Sequence, residues 1–136
     1  MYLSARLRYQ SALGALALAL SMPGIASAAN YAGAWTFRGA MGNPAVETIA
    51  PVCVFRQVGN TLSGSCQGPA GIGSVTGGGV NGVRMTFRWN RIATSAAQRN
   101  GIITFFGTLG PANVIRGTWT DSYRPGGVGS FVAQRR

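Results

Sequence analysis

The 136-residue chain has no histidine, no lysine and only two acidic residues, Glu47 and Asp121. Each absence excludes a kind of chemistry. Proton transfer near neutral pH draws on groups that titrate there, imidazole first among them. With neither histidine nor lysine present, no serine or threonine has a base to activate it. A two-carboxylate glycosidase would need Glu47 and Asp121 to meet by folding alone. Metal sites need imidazole, thiolate or clustered carboxylate, and two cysteines with two scattered acids supply no such set. Gly77-Gly78-Gly79 is not a phosphate loop, because no helix and no lysine follow it. The inventory argues against an enzyme and calls for no cofactor and no metal.

The N-terminus has a secretory pattern. Arg6 and Arg8 precede a short apolar run from Ser11 to Leu20, Pro23 and Gly24 break it, and Ala26-Ser27-Ala28 forms a small-x-small cleavage site. The run is about half of the ~20 residues that span a bilayer. Residues 1–28 are therefore expected to be a cleaved signal peptide. Residues 29–136 would be a single exported domain, periplasmic or extracellular, with no transmembrane segment in the mature chain. Losing Arg6 and Arg8 takes the formal net charge from +10 to +8. Every remaining base is arginine, and most are scattered as solubility requires. Arg84, Arg88 and Arg91 are the exception. They are candidates for a face that meets an anionic envelope polymer or lipid head groups. Nucleic acid is not the expected partner of an exported chain.

Two cysteines, Cys53 and Cys66, flank Gly59-Asn60, a two-residue hairpin signal with glycine first, as a type II′ turn requires. Pairing outward from that turn sets Val58 against Thr61, Arg56 against Ser63 and Cys53 against Cys66. The cysteines fall on a non-hydrogen-bonded rung, where side chains come closest. Export favours oxidation, so a cross-strand disulfide is expected.

Strand signals fill the mature chain, and helical periodicity is absent. Strands are expected at Tyr31 to Arg38, Val52 to Val58, Thr61 to Gln67, Gly73 to Val80, Val83 to Arg91, Ile102 to Leu109, Val114 to Thr120 and Gly127 to Ala133. The Gly39 to Pro51 loop has room for a short strand at Val46 to Ile49. Asn81-Gly82 is a strong hairpin signal, and Ile92 to Asn100 is polar and loop-like. Between Val83 and Trp89 apolar and polar residues alternate, with Val83, Met85, Phe87 and Trp89 on one face. Of the adjacent Phe105 and Phe106, one must face outward. The expected fold is all-β: eight antiparallel strands in an up-and-down meander closed into a small barrel that leaves no edge. Asn60 to Cys66 and Asn113 to Trp119 share the pattern N-x-aliphatic-x-G-S/T-x, which reads as repeated hairpin geometry.

Gly33-Ala34-Trp35 opens the first mature strand, and Gly117-Thr118-Trp119 recurs near the end. A Gly-x-Trp on the first strand of such a meander resembles the calycin group, lipocalins and avidins. The resemblance implies a tryptophan packed at a closed barrel end with a late arginine over its ring, here Arg124 or Arg135. The biotin contacts of avidins are not matched residue by residue, so the likeness extends to architecture alone. A small periplasmic metalloprotease inhibitor shares the layout. It works through a free N-terminal arm, which Ala29-Asn30-Tyr31 would have to supply.

Trp35, Trp89 and Trp119 are either core filling or, with Phe87 and Phe105, the lining of a ligand pocket. The first functional expectation is a non-catalytic barrel that binds a small apolar or amphipathic ligand at one mouth, in a cavity of about a few hundred Å³. The alternative is an interaction protein with an arginine-rich outer face, and a protease inhibitor is third. Asp121 is expected to cap a turn or to pair with Arg116 or Arg124.

Overall fold

The computed structural model describes residues 28–42 and 45–136; the expected signal peptide, apart from Ala28, lies outside the described residues. The elements are β1 (Gly33–Met41), β2 (Val46–Ile49), β3 (Val52–Val58), β4 (Thr61–Gly68), β5 (Gly71–Asn81), β6 (Arg84–Arg91), β7 (Gly101–Leu109), β8 (Val114–Asp121) and β9 (Val128–Arg135). Every pairing is antiparallel. β9 returns to β1, from Trp35↔Arg135 to Ala40↔Ser130, and so closes eight strands into a barrel. Among the described residues there is no α-helix, only a 3-10 turn at Pro111–Asn113. Among the described residues no helix is long and apolar enough to cross a membrane.

The short strand β2 lies outside the ring and pairs with the far end of β1, at Gly39–Met41. β1 consequently runs past the expected end at Arg38, because its last residues have partners on both sides, β2 and β9. The cysteine hairpin has the register its turn implies, Val58↔Thr61 through Cys53↔Cys66, and the two cysteines are joined at a Cα separation of 4.0 Å. Gly59 has φ +58, while Asn60 stays out of the left-handed region, the type II′ pattern.

The second hairpin corrects the sequence reading. Asn81 pairs with Arg84, so the loop residues are Gly82 and Val83 and not Asn81 and Gly82. A type I′ turn needs positive φ at both central residues. Here only Gly82 has it, at +61, and the glycine-first turn forms one residue later. Val83 therefore leaves the buried face of Met85, Phe87 and Trp89 and stands half exposed on the turn.

The repeated glycines, Gly64 and Gly117, have one structural purpose. A Cβ would lie 1.9 Å from the Val54 carbonyl oxygen at Gly64, and 1.8 Å from that of Phe106 at Gly117. Each strand presses its backbone against its neighbour at the same point after a turn, and only glycine allows the approach.

The barrel is filled. Phe37, Phe55, Phe87, Phe105 and Phe131 meet at its centre with ring centroids 4.6–6.2 Å apart. A small eight-stranded barrel is just wide enough for its own side chains. Phe106 is the outward ring of its pair, 51% exposed.

Candidate functional site

The two barrel ends differ. At one, β3–β4 and β5–β6 join by two-residue turns, and residues 28–32 cross the opening. Ala29 donates its N–H to the Gly82 carbonyl at 2.9 Å, and Gln57 accepts from the Tyr31 N–H at 2.7 Å and donates to the Ala29 carbonyl at 2.9 Å. Tyr31 is buried and donates its hydroxyl to the Val83 carbonyl; burial holds this hydroxyl above its ordinary value of 10.0. The arm required by the inhibitor reading is thus pinned to the barrel at Ala29, Asn30 and Tyr31. Trp35 lies beneath, donating its indole N–H to the Tyr31 carbonyl at 2.8 Å. Arg135, not Arg124, covers its ring at 4.4 Å and donates to the Asn30 and Ala32 carbonyls at 2.7 and 2.5 Å. The calycin-like resemblance implies this arrangement, with the arginine now identified.

The opposite end carries the longer connections: the segment with β2, residues 92–100 and residues 122–127. Strand alternation places Arg91 and Asp121 on the inward face here, each only 8% exposed. Their guanidinium and carboxylate meet at 3.3 Å. Asp121 also accepts from the Tyr123 N–H at 3.0 Å, and Arg91 donates through Nε to the Arg99 carbonyl at 2.8 Å. The expected turn cap at Asp121 is present, but its charge partner is Arg91, since Arg116 points outward from the other half of β8. The 92–100 loop is fixed by Gln98, which accepts from the Ser95 N–H at 3.1 Å and donates to the Pro69 carbonyl at 2.5 Å. Arg99 stacks on Tyr123 at 4.9 Å.

These elements enclose a recess of about 450 Å³. Ile49 and Trp119 form its apolar side; Arg91, Asp121, Arg99 and Arg124 form its polar side. The Trp119 indole donates to the Ser130 carbonyl at 3.1 Å. At the next inward position below Arg91, the buried Trp89 Nε1 has no hydrogen-bond partner among the described residues and lies against Gly73.

Of the five aromatics read as a pocket lining, Phe87, Phe105 and Trp119 share one rung across β6, β7 and β8, but the five do not line one recess. Trp35 seals the closed end, Phe87 and Phe105 stack at 4.6 Å in the middle, and Trp89 is fully buried. Only Trp119 borders the recess. They are core because their strands alternate around an interior too narrow to stay hollow. Of the three clustered arginines, Arg84 and Arg88 face outward, but Arg91 has the opposite parity and turns into the mouth. That parity was available in the sequence: Met85, Phe87, Trp89 and Arg91 are every second residue. The contributions of Ile49, Arg99, Tyr123 and Arg124 were not, since they come from connections whose paths no periodicity describes.

Comparison with protein-family models, with curated proteins and with solved structures found no match to this chain. Among the described residues no three histidine, cysteine, aspartate or glutamate side chains gather to hold a metal ion.

Proposed function

We propose that this is a non-catalytic barrel, exported to the periplasm or beyond, that binds a small amphipathic molecule in the mouth recess. The observation that carries this reading is the asymmetry of the ends. One end is sealed by Arg135 and Trp35. The other gathers the longer loops around a space of about 450 Å³ with an apolar wall and a cationic rim, within the range of small-molecule sites. The apolar part of a ligand would lie on Ile49 and Trp119, and an anionic group would face Arg99 and Arg124. Arg91 is already engaged by Asp121. The reading as non-catalytic is supported by the use of Asp121, whose two oxygens are committed to Arg91 and to the Tyr123 N–H. Export is supported by the leader pattern and by the disulfide.

Anilinonaphthalene sulfonate, an anionic amphipathic dye, is a direct probe. One site is expected by titration, with quenching of tryptophan fluorescence. Arg99→Gln with Arg124→Gln should weaken it about tenfold, and Trp119→Phe should remove most of the quenching. Native mass spectrometry of protein taken from its host envelope should show a co-purifying mass. Absence of both dye binding and an added mass would overturn the reading.

A further inference from the structure

The outer wall opposite the mouth loops has a composition of its own. Toward the sealed end, the outward positions of β6, β7 and β8 include three full rungs: Arg84, Thr108 and Arg116; Thr86, Phe106 and Thr118; Arg88, Thr104 and Thr120. Five of these nine residues are threonine, three are arginine, and the middle one is the exposed Phe106. A groove of about 500 Å³ runs along this wall past Asn60, Asn81 and Phe106, with Arg84 and Arg116 on its border.

We infer that this wall docks an acidic polysaccharide strand. Three features fit that one chemistry. An exposed phenylalanine presents a flat apolar face to a sugar ring, and flanking threonine hydroxyls donate to and accept from sugar hydroxyls. Arg84 and Arg116 stand two strands apart, about 10 Å at the usual strand spacing, a spacing that suits acidic groups on successive sugars. Guanidinium matches carboxylate or sulfate with paired hydrogen bonds.

The charge is uncompensated by the protein. No carboxylate stands on the wall. Asp121 is turned inward to Arg91, and Glu47 belongs to β2, beyond β9 and β1. Among the described residues the side chains of Arg84, Arg88 and Arg116 have no ion-pair or hydrogen-bond partner. A bilayer fits less well, because a threonine wall with a single ring has little to insert, and the exposed Ile72, Ile92 and Ile102 lie at the mouth end instead.

The test uses the full exported chain with heparin and polygalacturonate as probes. The wild type should be retained on heparin at low salt, released as salt rises, and displaced by polygalacturonate but not by neutral dextran. Arg84→Gln with Arg116→Gln should weaken binding more than tenfold and flatten its salt dependence. Phe106→Ala should weaken it about fivefold and leave the salt dependence unchanged. All these side chains are exposed, so thermal denaturation should show folding intact. Arg99→Gln with Arg124→Gln, at the mouth, should bind the polymers as the wild type does, which separates this surface from the recess. Loss of retention in the wild type, wild-type affinity in the groove variants, or stronger competition by phosphatidylglycerol vesicles or single-stranded DNA than by polygalacturonate would overturn the inference.

Discussion

Arg135 holds the sealed end of the barrel by three contacts at once. Its guanidinium lies over Trp35 at 4.4 Å and donates to two carbonyls of the crossing segment. A solvent-exposed cation over an indole contributes about 0.5–1 kcal/mol, and hydrogen bonds from a charged donor about 1.5 kcal/mol or more each before screening. Solvent reaches this arginine, so Arg135→Ala should cost about 1–3 kcal/mol in chemical denaturation. Arg135→Lys should recover less than half of that, because an ammonium cannot reproduce the planar fork. Equal stability of the lysine variant and the wild type would show that charge alone matters there. Arg91 belongs to the same scale but a different environment: nearly buried with Asp121, it is held where loss of either partner leaves an unpaired charge.

The β3–β4 hairpin shows how far one element carries its own specification. A glycine-first turn sets the register, the register sets Cys53 against Cys66, and alternation turns both into the core. The bridge closes a short loop, a sequence separation of 13, worth about 3 kcal/mol on chain-entropy grounds. Cys53→Ala with Cys66→Ala should lower unfolding free energy by about 2–3 kcal/mol while the β-sheet circular dichroism is retained. Both sulfur-bearing residues are at most 2% exposed. A thiol reductant should therefore open the bridge only as fast as the native protein unfolds, with reduction following denaturant concentration. The β5–β6 hairpin is the counterexample: its turn chemistry was visible, but which pair of residues formed the loop was decided by where positive φ was needed, at Gly82 alone.

The whole molecule lacks any histidine, and both cysteines are bridged. Apart from the amino terminus, no group titrates between the carboxylates and the tyrosines. Stability should be flat from about pH 6 to 9 on that inventory. At higher pH the buried Tyr31 matters. Its hydroxyl ionises above the ordinary 10.0 in the folded protein, so the unfolded chain releases the proton first. The stability it contributes is complete below pH 10.0 and lost as the pH rises from there through the folded-state value. Tyr31→Phe should remove that alkaline decline and lower the neutral plateau by about 1–3 kcal/mol, the cost of orphaning its partner. Urea titrations at pH 7 and pH 11 compare the two directly. An alkaline decline of equal size in Tyr31→Phe would assign the effect elsewhere.

Fold class and the disulfide were legible from residue order, because both rest on short-range rules. Alternation with a period of two marks a strand with one buried face, and a two-residue turn dictates which residues oppose each other. A sealed end at Trp35 was implied only by the resemblance that Gly33-Ala34-Trp35 carries. Tertiary structure alone chose Arg135 over Arg124, joined Arg91 to Asp121 from strands at a distance in the chain, and placed Ile49, Tyr123 and the two rim arginines around one recess. Those contacts depend on how strands are staggered when β9 meets β1 and on the paths of the longer loops. Local sequence pattern constrains neither, because closing the ring is a property of all eight strands together.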